Sequence, residues 1–154
     1  RGTMTENQFW AKLEKYGKDG GAFFDLIEAI RMAYDQNLGM ICGCVHTGPD
    51  LVNQLYLNIN DREPNRPGNR YMLCYTSKKM AEQDHALPEP YELLPVRFVI
   101  DNMRLKPAIG GLVFNRSDPE HSFFVPKAIM EEDPEDILKA MTDAVNLYKK
   151  ICRE

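Results

Sequence analysis

Two short runs, residues 70–75 and 109–115, place apolar or aromatic side chains at most positions, and each ends in polar, turn-forming residues. Runs of this length and content fit buried strands. Thr76-Ser77 follows the first, so residues 70–77 read as one buried strand with its polar end. Asn115 closes the second, before the turn signal Arg116-Ser117-Asp118-Pro119.

Helical patterns open and close the chain. Thr5 and Gln8 fit a reciprocal N-terminal cap, Phe9, Trp10, Leu13 and Tyr16 follow at helical spacing, and Gly17 predicts a stop. Gly20-Gly21 then reopens the chain, and residues 22–37 predict a second helix with Phe23, Leu26, Ile27, Ile30 and Tyr34 on one face. Residues 40–45, 55–59 and 70–75 predict three strands in succession, an arrangement that suggests an antiparallel meander. Thr76-Ser77 can cap a helix from Lys78, with Met80 and Ala81 inward, ending at the Pro-rich break at residues 87–90.

The period leaves residues 96–100 open between a helix beginning near Pro95 and a strand. Phe123, Phe124 and Val125 predict a fifth strand, with a short helix after Pro126. Asp133 and Pro134 start the last helix, whose stripe is Ile137, Leu138, Met141, Val145, Tyr148 and Ile151. The fold class is α+β: a mixed, mainly antiparallel sheet of about five strands flanked by N- and C-terminal helices. Residues 4–154 form one expected domain, and residues 1–3 read as a cloning remnant.

With 44% apolar and 27% charged residues, a chain of 154 can bury a core without metal or disulfide. Its net charge of −4, with no Lys/Arg cluster, argues against nucleic acid as a partner. No stretch approaches the roughly 20 apolar residues that span a bilayer, so no membrane is expected. Four cysteines without a secretory leader predict reduced thiols and a cytoplasmic location.

Several constellations carry groups capable of chemistry. On one strand Cys42, Cys44 and His46 would share a side, yet the Cys-x-x-Cys spacing of zinc knuckles is absent. Small core cysteines, with no metal, are the expectation. Residues 118–122 gather Asp118, His121 and Ser122, but neighbours in a turn usually point apart, so a surface turn is predicted. Gly20-Gly21 follows a helix and Gly110-Gly111 precedes a strand, so neither has the context of a phosphate loop. Asp84-His85 reads as a solvated helix end rather than an oriented base. Trp10 could anchor a partner, but reads as part of the core.

Residues 70–77, Arg-Tyr-Met-Leu-Cys-Tyr-Thr-Ser, and Gly110-Gly111-Leu112-Val113-Phe114-Asn115 resemble the N-terminal domain of the SseB family. The likeness lies in a strand ending in aromatic-Thr-Ser before a helix, and a later Gly-hydrophobic-Asn strand end before a turn. It covers residues 22–130 and departs at Arg116, where the family commonly has proline, and in the long Pro-rich link at 87–95. It implies a bacterial cytosolic protein with a binding or regulatory role, and no catalytic residue or cofactor.

The first expectation is therefore a non-enzymatic interaction domain with a protein partner or self-association. Its candidate contacts are Thr76, Ser77, Asn115, Ser117 and His121. The second is a small-molecule-binding or hydrolytic enzyme using His121 with Asp118 or a cysteine. An immunity-type protein is a third, which the acidic charge permits. No cofactor and no metal are expected.

Overall fold

A computed structural model of the chain describes residues 3–20, 23–88 and 90–153. Gly21 and Ala22 near the predicted start of the second helix, and Glu89 in the Pro-rich break, lie outside the described residues. No helix among the described residues is long and apolar enough to cross a membrane.

Helix α1 (Glu6–Asp19) begins at the predicted cap. Gln8 N–H donates to the Thr5 hydroxyl at 3.2 Å, and Thr5 N–H donates to the Gln8 amide oxygen at 2.9 Å. The helix does not stop at Gly17 but at Gly20, whose φ of 63° gives the left-handed cap. Gly17 serves a different purpose: a Cβ there would stand 2.7 Å from the His121 carbonyl oxygen. Helix α2 (Phe23–Gln36) buries Leu26, Ile27, Ala29, Ile30 and Ala33, and Asn37 at φ 53° turns the chain after it.

Strand β1 (Gly39–Cys42) is followed by β2 (Cys44–Gly48), β3 (Leu51–Gln54), β4 (Tyr56–Asn58) and β5 (Arg70–Tyr75). The predicted meander is corrected here. Strands β1 and β4 do not pair with each other; both run antiparallel along β5, as two pieces of one interrupted line. Between them β2 and β3 leave as a separate hairpin. The branch point is Gly43, whose N–H donates to Leu73 O at 3.0 Å while Leu55 N–H donates to Gly43 O at 2.9 Å. A Cβ at Gly43 would stand 2.8 Å from a Leu87 methyl carbon and 3.3 Å from Leu73 Cβ, so a larger residue requires the Leu87 side chain to shift.

Ser77 caps the short α3 (Lys78–Glu82), with Ala81 buried. Then come β6 (Glu92–Pro95), α4 (Val96–Leu105), β7 (Ile109–Phe114), β8 (Phe123–Pro126), a 3-10 turn at Lys127–Met130 and α5 (Pro134–Arg153). Residues 96–100 are thus helix, running directly out of an edge strand. Val96, Val99, Ile100 and Met103 are buried at 3–4-residue spacing, the helical period.

Among the described residues one sheet has the order β6-β1-β5-β7-β8, with β4 beside β1 on β5. Only β5 and β7 run parallel; the other pairs are antiparallel. The fold is α+β, as expected. Side chains alternate across it: Met72, Cys74, Leu112 and Phe114 join the core under α1, α2 and α4. Leu73, Tyr75, Val113 and Phe124 join a second core with Ala81, Ala144 and Tyr148. Helices cover both faces, which is why β5 and β7 are apolar at consecutive positions rather than alternating. Helix α5 supplies Ile137 and Met141 to the first core and Ala144 and Val145 to the second, whereas Leu138 of the predicted stripe is 47% exposed.

Candidate functional site

The parallel pairing of β5 with β7 sets Cys74 beside Phe114, so both strands end at the same edge of the sheet. Parallel strand ends are where loops from separate parts of a chain converge. Here Asn115 N–H extends the ladder by donating to Cys74 O at 3.0 Å. Asn115 then turns left-handed at φ 55°, a conformation that asparagine tolerates better than other side chains.

That turn aims its amide across the gap. The Asn115 Oδ1 accepts from Thr76 N–H at 3.1 Å, and its Nδ2 donates to Thr76 Oγ1 at 3.0 Å and His121 O at 3.1 Å. The Asn115 and Thr76 side chains are buried, each residue being 1% exposed. Two successive turns, Asp118 N–H to Asn115 O and His121 N–H to Asp118 O, both 3.0 Å, fold residues 115–121 onto the strand ends. They also correct one expectation: Asp118 and His121 do not point apart, and His121 Nδ1 lies 2.7 Å from Asp118 Oδ2.

Thr76, Asn115 and His121 therefore meet as predicted site residues. Ser77 does not join them; its hydroxyl accepts from Met80 N–H at 3.2 Å. Ser117 is exposed and outside the network. The His121 ring pairs with Asp118, and neither a hydroxyl nor a thiol among the described residues bonds to it. An oriented imidazole without a nucleophile supplies at most an acid–base pair.

Beside this network lies a group that the sequence did not single out. The Tyr75 hydroxyl donates to the Asp84 carboxylate, and Arg116 Nε donates to Asp84 Oδ2 at 2.8 Å. Asp84 also accepts from Ala86 N–H at 3.2 Å. Its side chain is 2% exposed, so the predicted solvated helix end is corrected: the carboxylate faces inward and only His85 faces water. Burial by itself would raise the Asp84 carboxyl, but Arg116 and the Tyr75 hydroxyl outweigh it and hold the group below the usual range. Burial first, and the Asp84 acceptor second, push the Tyr75 phenol up. The partners are 9 and 32 residues apart, so no local pattern marks them.

The cysteine run is also divided by the fold. Cys42 and Cys74 are direct cross-strand partners in the core, Cys44 is buried, and none forms a disulfide. His46 instead lies outward, 2.9 Å from Glu92. Gly43 separates β1 from β2, yet Cys42 and Cys44 still enter the same core, while His46 at the far end of the run is exposed. Among the described residues no group of three or more His, Cys, Asp and Glu could hold a metal ion.

Hydrogen bonding to Cys74, then burial, pushes the Cys42 thiol well up, and burial beside Cys42 and Glu92 pushes Cys44 up to about 12. Thiol reagents attack thiolates. An aromatic disulfide reagent at neutral pH is therefore expected to titrate one cysteine in the native protein, the exposed Cys152, and all four in denaturant. Rapid labelling of Cys42 or Cys74 in the native state would contradict this burial.

A groove of about 470 Å³ runs beside the strand ends, between α1 and α3. Trp10, Ala11, Thr76, Ser77 and Lys79 line it. Trp10 is half-buried, touches both cores and donates its indole N–H to Gly39 O at 2.9 Å, so it fixes the groove floor as well as the core. No family model matches the chain, and neither the curated proteins nor the solved structures yield a match.

Proposed function

We propose that this chain is a non-enzymatic binding domain of the SseB type, cytoplasmic, which grips a protein segment at the carboxyl ends of β5 and β7. The observation that carries this reading is the closed hydrogen-bonding of Thr76 and Asn115, which bond to each other while Asn115 also donates to the His121 carbonyl. Such a network holds a rim in one shape without offering a reactive group, and a preorganised rim lowers the ordering cost of binding. The groove between α1 and α3 adds Trp10, a residue type favoured in binding anchors, together with the exposed Lys78 and Lys79. Free thiols in the core suit a reducing compartment.

The test is selection of peptides displayed on phage against the immobilised full chain. Enriched peptides are expected to bind the wild type and to lose at least about tenfold in affinity with Ala11→Arg, which fills the groove from an exposed helical position. Leu138→Ala, on the outer side of α5, is expected to leave binding unchanged. Absence of any peptide sensitive to Ala11→Arg would defeat the proposal. The Asp118–His121 pair favours the second reading, a hydrolytic site, and it makes a separate demand. Hydrolysis of activated esters would have to fall with His121→Gln, and a rate no different from buffer would remove it.

A further inference from the structure

The β2–β3 hairpin leaves the sheet at Gly43 and returns at Leu55. A cavity of about 410 Å³ opens between that hairpin and α4, at the end of β5 opposite Thr76. Its size falls within the roughly 300–1,000 Å³ of small-molecule sites.

Its charge sets it apart. Arg70 and Lys106 line it and no acidic residue does, in a chain whose net charge is −4. The Lys127 ammonium donates to the Lys106 carbonyl at 2.7 Å, countering the negative carbonyl end of α4 nearby.

Two residues lining this cavity, Gln54 and Arg70, carry a buried side-chain donor without a hydrogen-bond partner among the described residues. Arg70 Nε is buried and has no hydrogen-bond partner among the described residues, while the guanidinium carbon stands 5.8 Å from the Tyr56 ring centroid. A buried donor without an acceptor is costly, and the guanidinium fork matches the two oxygens of a carboxylate. Helix α4 presents the matching pattern. Phe98 and Asn102 lie four residues apart on α4, and Lys106 lines the same cavity just past the helix end. Phe98 is 48% exposed, a large ring left partly in water at this cavity.

We propose that the cavity binds a small organic acid with an aromatic body. Its carboxylate pairs with Arg70 and Lys106, and its ring lies against Tyr56 and Phe98. Asn53 and Asn102 offer further donors to the acid. The site is separate from the α1–α3 groove and stands or falls without it.

The experiment is an amide chemical-shift titration of the isotope-labelled full chain with phenylacetate, and in parallel with 2-phenylethanol and inorganic phosphate. Phenylacetate is expected to shift the amides of residues 52–54 and 98–106 saturably, with a dissociation constant below about 1 mM that weakens as salt is added. The neutral alcohol and phosphate alone are expected to bind at least about tenfold more weakly. Arg70→Gln should remove the preference for the acid. Lys106→Glu, at an exposed position just past α4, should weaken the acid selectively without altering a strand, and Phe98→Ala should weaken acid and alcohol together. Equal binding of the alcohol, a response to phosphate as strong as to phenylacetate, shifts confined to other residues, or no saturable shift in this range would each overturn the proposal.

Discussion

Asn115→Ala is expected to destabilise the fold by about 3 kcal/mol, although it removes only a few atoms. The Thr76 N–H loses its acceptor in a buried setting, a loss worth about 1–3 kcal/mol. Thr76 Oγ1 and the His121 carbonyl lose their shared donor at the same time. Alanine must also hold the φ of 55° that asparagine adopts, at a further cost of about 1 kcal/mol. Asn115→Gly isolates the two contributions, because glycine accepts the backbone angle but restores none of the bonds. Denaturant unfolding should therefore rank wild type above Asn115→Gly and Asn115→Gly above Asn115→Ala. An alanine variant within about 1 kcal/mol of wild type would mean that the three hydrogen bonds do not hold the strand ends together.

Asp84→Ala should be comparably severe, about 3 kcal/mol, since breaking a buried pair strands its partners. The figure sits at the lower end for such pairs because the Arg116 side chain is 23% exposed and can recover some water. Asp84→Asn, which keeps the shape and an acceptor, should cost less. The pH dependence gives an independent check. The folded carboxyl titrates below its ordinary value near 3.8, so the stability it contributes is complete above that value. As pH falls below about 4 toward the folded value, that contribution drains away. Wild-type stability should thus fall in this acid window more steeply than that of Asp84→Asn. Parallel acid profiles for the two proteins would exclude the triad as a source of acid sensitivity.

These two sites show unequal legibility in the sequence. Thr76, Asn115 and His121 were visible because each terminates a strand or sits in a turn, where local chemistry restricts the residue type. Tyr75, Asp84 and Arg116 were not, because their only common property is meeting in space. Tyr75 looked like one more apolar strand residue, and Asp84 looked like the end of a solvated helix. Asp118 and His121 failed in the opposite direction: the local rule separated them, and two consecutive turns brought them to 2.7 Å.

Strand content alone could not distinguish a meander from an interrupted strand either. Residues 40–45 and 55–59 have the same period whichever neighbour they choose, and the chain leaves and rejoins the sheet at Gly43, whose backbone bonds both Leu73 and Leu55. The sequence by itself determined most of the helices and buried strands, the N-terminal caps at Thr5 and Ser77, and the α+β class, because period and capping act within a few residues. Only the tertiary structure decided that β5 and β7 run parallel, that Asp84 is sealed beside Arg116, and that Arg70 opens into an acid-free cavity. Those depend on groups tens of residues apart, whose juxtaposition is set by covering both faces of one sheet and leaves no local trace.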